Sequence, residues 1–287
     1  MNASAALQQQ EQAAPNHHWT LDDIPWDQFD ASKVDPDLLS LAKAACMVEH
    51  NGYDYARYLC QVFKGDTQFE AVADQWAEEE VQHGRALRRW VELADPTFDF
   101  DKSFKAFTTG YQLPLDVEAS IRGSRAGELI ARCIVEIGTS TYYTAIRDTA
   151  TEPVLRDICA KISTDEIKHY MMFHKYAQEY LQREKITGWK KLKIALSRIA
   201  ESEDDELAYA YYAAHLTGEA NDNQPAYDHK LYKQRYLKQA YAVYRKQHIT
   251  RMIVLLFKAV NVRQRQWLNK ILSQLAWSVM QYRLKRA

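Results

Sequence analysis

Two short phrases in this chain constrain its fold more than any other feature. Each phrase contains a glutamate and a histidine three residues apart, Glu80 with His83 and Glu166 with His169. Residues with this spacing lie on one face of a helix, so each phrase directs a carboxylate and an imidazole toward the same neighbour. One such phrase is common in helical proteins, but two at similar depth in helical stretches indicate a shared polar cluster.

A lone glutamate precedes each phrase within an apolar stretch. Glu49 lies 31 residues before Glu80, and Glu136 lies 30 residues before Glu166. A turn signal falls near the middle of both intervals. A helix rises about 1.5 Å per residue. If one helix ascends for the first half of each interval and the next descends for the second half, the two glutamates at the ends of the interval lie at the same height. All four carboxylates are therefore predicted to lie at one height in a bundle.

The complete set matches the ligands of di-iron and di-manganese carboxylate four-helix bundles. In these proteins two helices each supply one glutamate and two others each supply a Glu-x-x-His. Four carboxylates balance the charge of two divalent cations, and oxygen and nitrogen ligands suit iron or manganese better than a closed zinc site. We predict two iron ions, or a mixed manganese and iron pair. The predicted ligands are Glu49, Glu80, His83, Glu136, Glu166 and His169.

Composition and turn signals favour an all-α protein. The 287 residues include only 9 glycines and 7 prolines, and alternating β-branched runs are lacking. We divide the chain into a flexible tail and lead-in (1–34), a four-helix bundle (35–183) and a basic helical appendage (184–287) packed on the bundle. The bundle helices are predicted over about 36–63, 67–93, 117–148 and 151–183, with a long loop over 95–115.

The cysteines and the first residues bear on location. The four cysteines lie in predicted helices without a CxxC pair, as is typical of reduced thiols in a cytoplasmic protein. Residues 1–16 lack an apolar core and do not resemble a signal peptide, and no apolar run is long enough to cross a membrane.

Charge is divided unevenly along the chain. Residues 226–287 contain 14 lysines and arginines and a single acidic residue, Asp228, whereas the preceding residues contain 37 acidic and 23 basic residues. Four interpretations remain open for the basic segment. It packs against the acidic body of the protein itself, or it binds an acidic acyl carrier protein, an anionic membrane surface or, as a weaker alternative, transfer RNA.

The residues around the predicted ligands resemble the soluble acyl–acyl carrier protein desaturases. Residues 76–87 are similar to the motif W-x-A-E-E-x-x-H-G-x-x-L of the second ligand helix, and residues 155–169 are similar to the fourth ligand helix. Glu136 and Thr139 resemble the Glu-x-x-Thr of that family. The resemblance covers about residues 40–183.

The resemblance implies a ferritin-like four-helix bundle with extra C-terminal helices. It also implies an oxygen-dependent di-iron oxidoreductase that desaturates or hydroxylates an acyl chain with electrons from an external donor. Thr139 is then a catalytic residue beside the metal pair. The family conducts electrons through a tryptophan, an aspartate and a ligand histidine. Asp165 matches the aspartate and is expected to orient a histidine, but neither Trp19 nor Trp26 is identified as the tryptophan.

Three functions remain open at this point. The first is an acyl-chain oxidase of desaturase type, the second another ferritin-like oxygenase (aldehyde-deformylating, N-oxygenating or tRNA-hydroxylating), and the third an iron- or peroxide-handling protein without oxygenase activity. The irregular appendage argues against the large shell of an iron store and leaves a homodimer as one assembly. The substrate pocket is expected one turn from the ligands, with walls formed by Tyr53, Leu87, Thr139, Tyr143, Met172 and Phe173.

Overall fold

The structure, a computed structural model, describes residues 18–201, 205–216, 226–261 and 265–286. The described residues are predominantly helical and contain no strand, which confirms the predicted all-α class. None of their helices is both long and apolar enough to cross a membrane. The predicted flexible tail of residues 1–16 lies outside the described residues.

Three short 3₁₀ turns precede the α-helices, at Leu21–Asp23, Trp26–Gln28 and Ala31–Lys33. The α-helices of the described residues are α1 (Pro36–His50), α2 (Gly52–Val62), α3 (Thr67–Ala94), α4 (Phe100–Gly110), α5 (Arg125–Thr149), α6 (Pro153–Glu184), α7 (Gly188–Glu201), α8 (Asp205–Ala214), α9 (His229–Val243), α10 (Lys246–Ala259) and α11 (Gln266–Arg286).

Side-chain caps determine where the main helices begin. Asp35 accepts the N–H groups of the first turn of α1, Asp66 does so for α3, and Glu152 for α6. Ser124 caps α5 immediately after Gly123, whose φ of +73° is incompatible with a right-handed helix. The third bundle helix therefore begins at Arg125, later than the predicted start near residue 117.

The first predicted helix is interrupted directly after the glutamate that it carries. Asn51 separates α1 from α2 with φ −83° and ψ 11°. The neighbouring Gly52 lies against α3, where an added Cβ would be 2.8 Å from the Cβ of Glu80. A Cβ added at Gly84 of α3 would likewise lie 2.6 Å from the backbone nitrogen of His50. The interruption thus occurs where two helix backbones approach each other closely around the predicted site.

The segment 95–115, predicted as a loop, contains helix α4. Asp99 caps it by accepting the N–H of Lys102 at 3.0 Å. Phe100 and Phe107 are buried on one face, as the helical spacing between them requires. The prediction was wrong because the flanking turn residues outweighed this short amphipathic pattern.

Helix packing leaves a polar layer between two apolar clusters. Helices α1 and α2 pack on α3, α5 packs on α6, and α3 contacts α6. One apolar cluster contains the start of α1 and the end of α3, and the other contains the start of α3 and the end of α6. The predicted ligands lie between the two clusters in each helix.

The helices after residue 187 cover one side of this assembly. Helices α7 and α10 pack on α5, and α8 packs on α1 and α4. Helix α9 packs on α8 and α1, while α11 packs on α10 and α9. Buried apolar residues of these helices, many of them alanines and tyrosines, are members of the two apolar clusters.

Candidate metal centre

The six predicted ligands come together in two groups that could each hold a metal ion. Within each group one ligand atom per residue lies within 4.8 Å of the others. All six side chains are buried, with at most 7% of any residue exposed. The first group is Glu49, Glu80, His83 and Glu166, and the second is Glu80, Glu136, Glu166 and His169.

Two carboxylates belong to both groups. Glu80 on α3 and Glu166 on α6 are shared, whereas each group has one glutamate and one histidine of its own. Such a division would suit two adjacent cations, because Glu80 and Glu166 would be available to both while each remaining residue would bind one of them. The six residues that the spacing argument placed at one level therefore lie together in the structure.

The two imidazoles direct unpartnered nitrogen atoms into the cluster. His83 Nδ1 lies 3.4 Å from Glu166 Oε1 and 3.6 Å from Glu49 Oε2, and His169 Nδ1 lies 3.0 Å from Glu80 Oε1. Neither Nδ1 has a hydrogen-bond partner among the described residues, and the same holds for Glu80 Oε1 and Glu166 Oε1. Four buried polar atoms that face one another without hydrogen bonds are costly unless cations bind them. The residues present thus fit a metal pair.

Carboxylates outside the cluster orient both rings. His83 Nε2 lies 3.3 Å from Asp165 Oδ2, and His169 Nε2 lies 3.0 Å from Glu79 Oε2. Since a carboxylate accepts a hydrogen bond, each Nε2 carries a proton and each Nδ1 faces the cluster. Asp165 has the orienting position that the sequence suggested. Glu79 was missed because, among three consecutive glutamates, periodicity singled out only Glu80.

Asp165 also binds the indole of Trp19. The Trp19 Nε1 donates to Asp165 Oδ2 at 2.5 Å, and the indole lies parallel to the His83 ring with centroids 5.9 Å apart. Gln82 holds the same residue by donating to its carbonyl oxygen at 2.7 Å. Trp26 instead donates to the carbonyl of Leu21. The structure thus distinguishes two tryptophans that the sequence left equivalent.

Hydroxyl and guanidinium groups contact the remaining carboxylates. Thr139 Oγ1 donates to Glu166 Oε2 at 2.6 Å, and the Tyr143 hydroxyl donates to Glu49. Arg132 Nη2 lies 3.3 Å from Glu136 Oε1. Arg132 had no role in the sequence prediction, since a single arginine on an apolar helix carries no distinctive spacing.

The pKa values of the carboxylates divide by position. Burial, together with repulsion by Glu80, holds the pKa of Glu49 well above its ordinary value, and burial raises the pKa of Glu136 to about 8. Burial also opposes ionisation of the shared Glu80 and Glu166, but the imidazoles beside both lower their pKa values. The two unshared carboxylates are therefore the acids that retain protons most readily.

The pKa values of the two imidazoles are raised by the carboxylates around them. Burial alone would lower the pKa of His83 and His169, yet the surrounding carboxylates raise both values well above the ordinary one. When no cation is bound, protons reside on the two rings and on the unshared carboxylates. A cation that binds displaces them.

A cavity of about 310 Å³ opens beside the cluster. Glu49, Thr139 and Tyr143 line the end that touches the cluster. The remaining lining is mainly apolar or aromatic and comes from α1, α5 and the helices α7 to α11, with Arg198, Glu201 and Glu206 as charged members. The cavity therefore connects the candidate metal centre to the helices of the appendage.

Two of the six predicted pocket residues, Thr139 and Tyr143, line this cavity. Leu87 and Phe173 are buried in the two apolar clusters instead, and Met172 packs against the second cluster. Tyr53 is 44% exposed. Leu87, Met172 and Phe173 thus face other parts of the bundle, and Tyr53 faces solvent. The appendage, which has no recognisable motif, supplies most of the cavity wall in their place.

Comparison of the chain with known protein families finds no match, and neither does comparison with curated proteins.

Proposed function

We propose that this protein is a ferritin-like di-iron oxidoreductase of desaturase type that oxidises an acyl chain held in the cavity. The observation that carries the proposal is the pair of ligand groups with two shared carboxylates, lying at the end of a mainly apolar cavity. When bound, a pair of ferrous ions supplies the means to reduce dioxygen and to break an unactivated C–H bond. Six residues of one chain would hold both ions.

The residues around the cluster have separate tasks in this proposal. The Thr139 hydroxyl donates a hydrogen bond to Glu166 at the end of the cavity nearest the cluster, and the Tyr143 hydroxyl donates one to Glu49. Both hydroxyls restrain a carboxylate and line the cavity at the same time. They orient the ligands and offer protons at the point nearest to a bound chain.

Trp19, Asp165 and His83 form a hydrogen-bonded path toward the cluster. It corresponds in residue types to the electron route of the desaturases that the sequence resembles. Asp165 accepts from the indole and from the imidazole, and Lys168 donates to its other oxygen at 2.8 Å. The contacts with His83 and Lys168 lower the pKa of Asp165 despite its burial, so the carboxylate stays charged. We assign this path to electron delivery from an external donor.

The volume and the mainly apolar lining of the cavity support the proposal of an acyl substrate. Its volume lies at the lower end of the range of about 300–1,000 Å³ that is typical of small-molecule sites. Tyr236, Tyr244, Met252 and Leu256 line the part beyond the cluster. An apolar chain would exclude water there and present a methylene group near Glu49 and Thr139. The same cavity favours substrate oxidation over iron storage, which needs no room for an organic chain.

The test is oxygen consumption by iron-loaded protein with a chemical reductant and three substrates: free fatty acids, acyl groups on acyl carrier protein, and phospholipids. We expect one of these to accelerate oxygen uptake and to return as a desaturated or hydroxylated product in mass spectrometry. A Glu80→Ala variant is the control. Iron binding without product from any acyl compound would contradict the proposal and favour one of the other ferritin-like functions.

A further inference from the structure

Helix α11 exposes an apolar face to solvent. Five large apolar residues on it are each about half exposed, although such residues are usually covered in a soluble protein. Their exposed fractions are 57% for Trp267, 49% for Ile271, 56% for Leu275, 52% for Val279 and 54% for Tyr282. At 100° per residue these positions fall within an arc of about 120° along the whole helix. A continuous stripe of this kind marks an interaction surface.

Basic side chains flank the stripe. Lys270, Arg283 and Lys285 are exposed on α11, and Arg265 is exposed just before it. Neither Lys270 nor Lys285 has a carboxylate within 4.0 Å among the described residues. Within the part of the chain that the structure describes, the acidic body of the protein thus leaves these two lysines without an ion pair. An apolar stripe with basic edges and aromatic residues near both ends is typical of a helix that lies in a membrane interface.

The helix that carries the stripe also borders the cavity. The cavity lining includes Met280 of α11, on the face of that helix turned away from the stripe, and Ile199 of α7. Ile199 is 37% exposed, and α7 also exposes Trp189 (74%) and Leu196 (56%) beside several lysines. Two helices with exposed apolar residues and bases therefore contribute to the cavity wall. Ile199 is both partly exposed and part of the cavity wall, beside Arg198 and Glu201, so the wall reaches the protein surface at α7.

We propose that α11 docks on an anionic membrane surface and that the cavity receives its acyl chain from there. The docking is inferred from the stripe and its charges alone. The entry of an acyl chain into the cavity depends in addition on the proposed function. The stripe runs from Trp267 to Tyr282 and is about 22 Å long on the 21-residue helix α11. An acidic carrier protein would use the bases but has no need of this length of apolar surface. If a second copy of the chain covered the stripe, the basic residues of the two copies would repel each other.

The experiment measures binding of the full, metal-free chain to vesicles. We compare vesicles of phosphatidylcholine alone with vesicles of equal parts phosphatidylcholine and phosphatidylglycerol, at low and high salt. We expect binding only to the anionic vesicles, weakened by salt because screening acts over about 8 Å at physiological ionic strength. Brominated lipids should quench Trp267, and Trp267→Phe should remove that part of the quenching.

Matched variants separate the stripe from its surroundings. Ile271→Ser with Leu275→Ser should weaken binding by about tenfold or more, since two apolar side chains no longer enter the interface. Lys270→Gln with Lys285→Gln should weaken binding and reduce its salt dependence. Ile121→Ser, at an apolar residue 67% exposed elsewhere on the protein, is the control and should bind as the wild type does. Circular dichroism checks that each variant is folded.

Three results would overturn the docking proposal. They are an absence of binding to anionic vesicles at low salt, unchanged binding by the Ile271→Ser, Leu275→Ser variant, and a dimer that dissociates in that variant, which would identify the stripe as an interface between copies. Because these measurements use no metal and no substrate, they fail or succeed independently of the di-iron assignment. The transfer of a chain is tested last, by whether vesicle phospholipid yields oxidised acyl product in the wild type and less in the stripe variant.

Discussion

The indole nitrogen of Trp19 donates a hydrogen bond to Asp165 across 146 residues of sequence, at 2.5 Å. The contact fastens the lead-in segment to α6 next to a predicted ligand, since Asp165 also faces His83. A residue outside the bundle helices thereby completes the surroundings of the cluster.

Replacement of Trp19 by phenylalanine should separate metal binding from electron delivery. We expect Trp19→Phe to keep its iron, since no ligand is lost, while the rate at which an external donor reduces the oxidised protein falls by about tenfold or more. Stopped-flow reduction measures the rate. Trp26→Phe is the control, because Trp26 binds the Leu21 carbonyl instead of Asp165. Equal rates in the two variants would remove Trp19 from the electron path.

Metal stoichiometry should depend on whether a ligand is shared. Wild-type protein should bind about two ions per chain. Glu80→Ala, which affects both groups, should abolish most binding, whereas Glu136→Ala or His169→Ala should reduce occupancy of mainly one group. Elemental analysis after desalting gives the count. Glu128→Gln is a matched control, because this buried glutamate of α5 bonds Tyr58 and Ser120 outside the cluster. One ion per chain in all variants would refute the assignment.

Thr139→Val should uncouple oxygen consumption from product formation. Valine keeps the shape but removes the hydroxyl that donates to Glu166 at the cavity end. We expect unchanged metal content and a lower ratio of product to oxygen consumed. Thr141→Val tests a neighbouring buried threonine whose hydroxyl donates only to the Ile137 carbonyl at 2.7 Å. If Thr139→Val forms as much product per oxygen consumed as the wild type does, Thr139 has only a structural role.

Metal binding should release protons near pH 7. Without a cation, Glu136 with its pKa of about 8 and Glu49 with its raised pKa keep protons, as do both imidazoles. Because cations and protons compete, affinity should fall as the pH is lowered from about 9 to 6. Calorimetry in two buffers of different ionisation enthalpy measures the number released. Identical heats in both buffers at pH 7 would contradict this linkage.

Two glycine substitutions should have opposite effects on stability. Gly52→Ala places a Cβ 2.8 Å from that of Glu80 and 3.0 Å from the Ala77 carbonyl oxygen, so α2 must move away from α3. We expect a loss of about 1–3 kcal/mol and weaker metal binding. Gly138→Ala, within α5 and with no atom inside 4 Å of the added Cβ, should gain up to about 1 kcal/mol. Denaturant unfolding distinguishes the two, and equal effects would argue against the close approach at Gly52.

The parts of the site that the sequence predicted share one physical origin. The ligands lie on long helices, where a fixed rise per residue converts spacing in sequence into height in the bundle. The interruption at Asn51 was missed although Asn51 and Gly52 form an Asn-Gly turn signal, because the helical pattern continues on both sides of it. Gly52 also fits closely against α3, which spacing alone does not reveal. Trp19 escaped prediction for a related reason, since no periodicity applies to 3₁₀ turns and loops.

The cavity wall was the least predictable feature. Tyr236, Met252 and Met280 lie far from the ligands in sequence, and only the packing of α9, α10 and α11 brings them near Glu49. A helical pattern indicates that such helices exist, but not which face they direct at a bundle. The basic charge of this segment was evident from composition, whereas its apolar stripe became evident only from exposure.

The cavity also separates two properties of the protein along its sequence. Residues 49–169 provide the candidate metal centre, whereas residues after 198 provide most of the surface that a bound chain would touch. Substitutions in the second stretch can therefore alter the length or shape of the accepted molecule without changing a ligand. Related chains are expected to diversify there first, and chimaeras that exchange the segment after α6 should change the molecule that the cavity accepts while the candidate metal centre is kept.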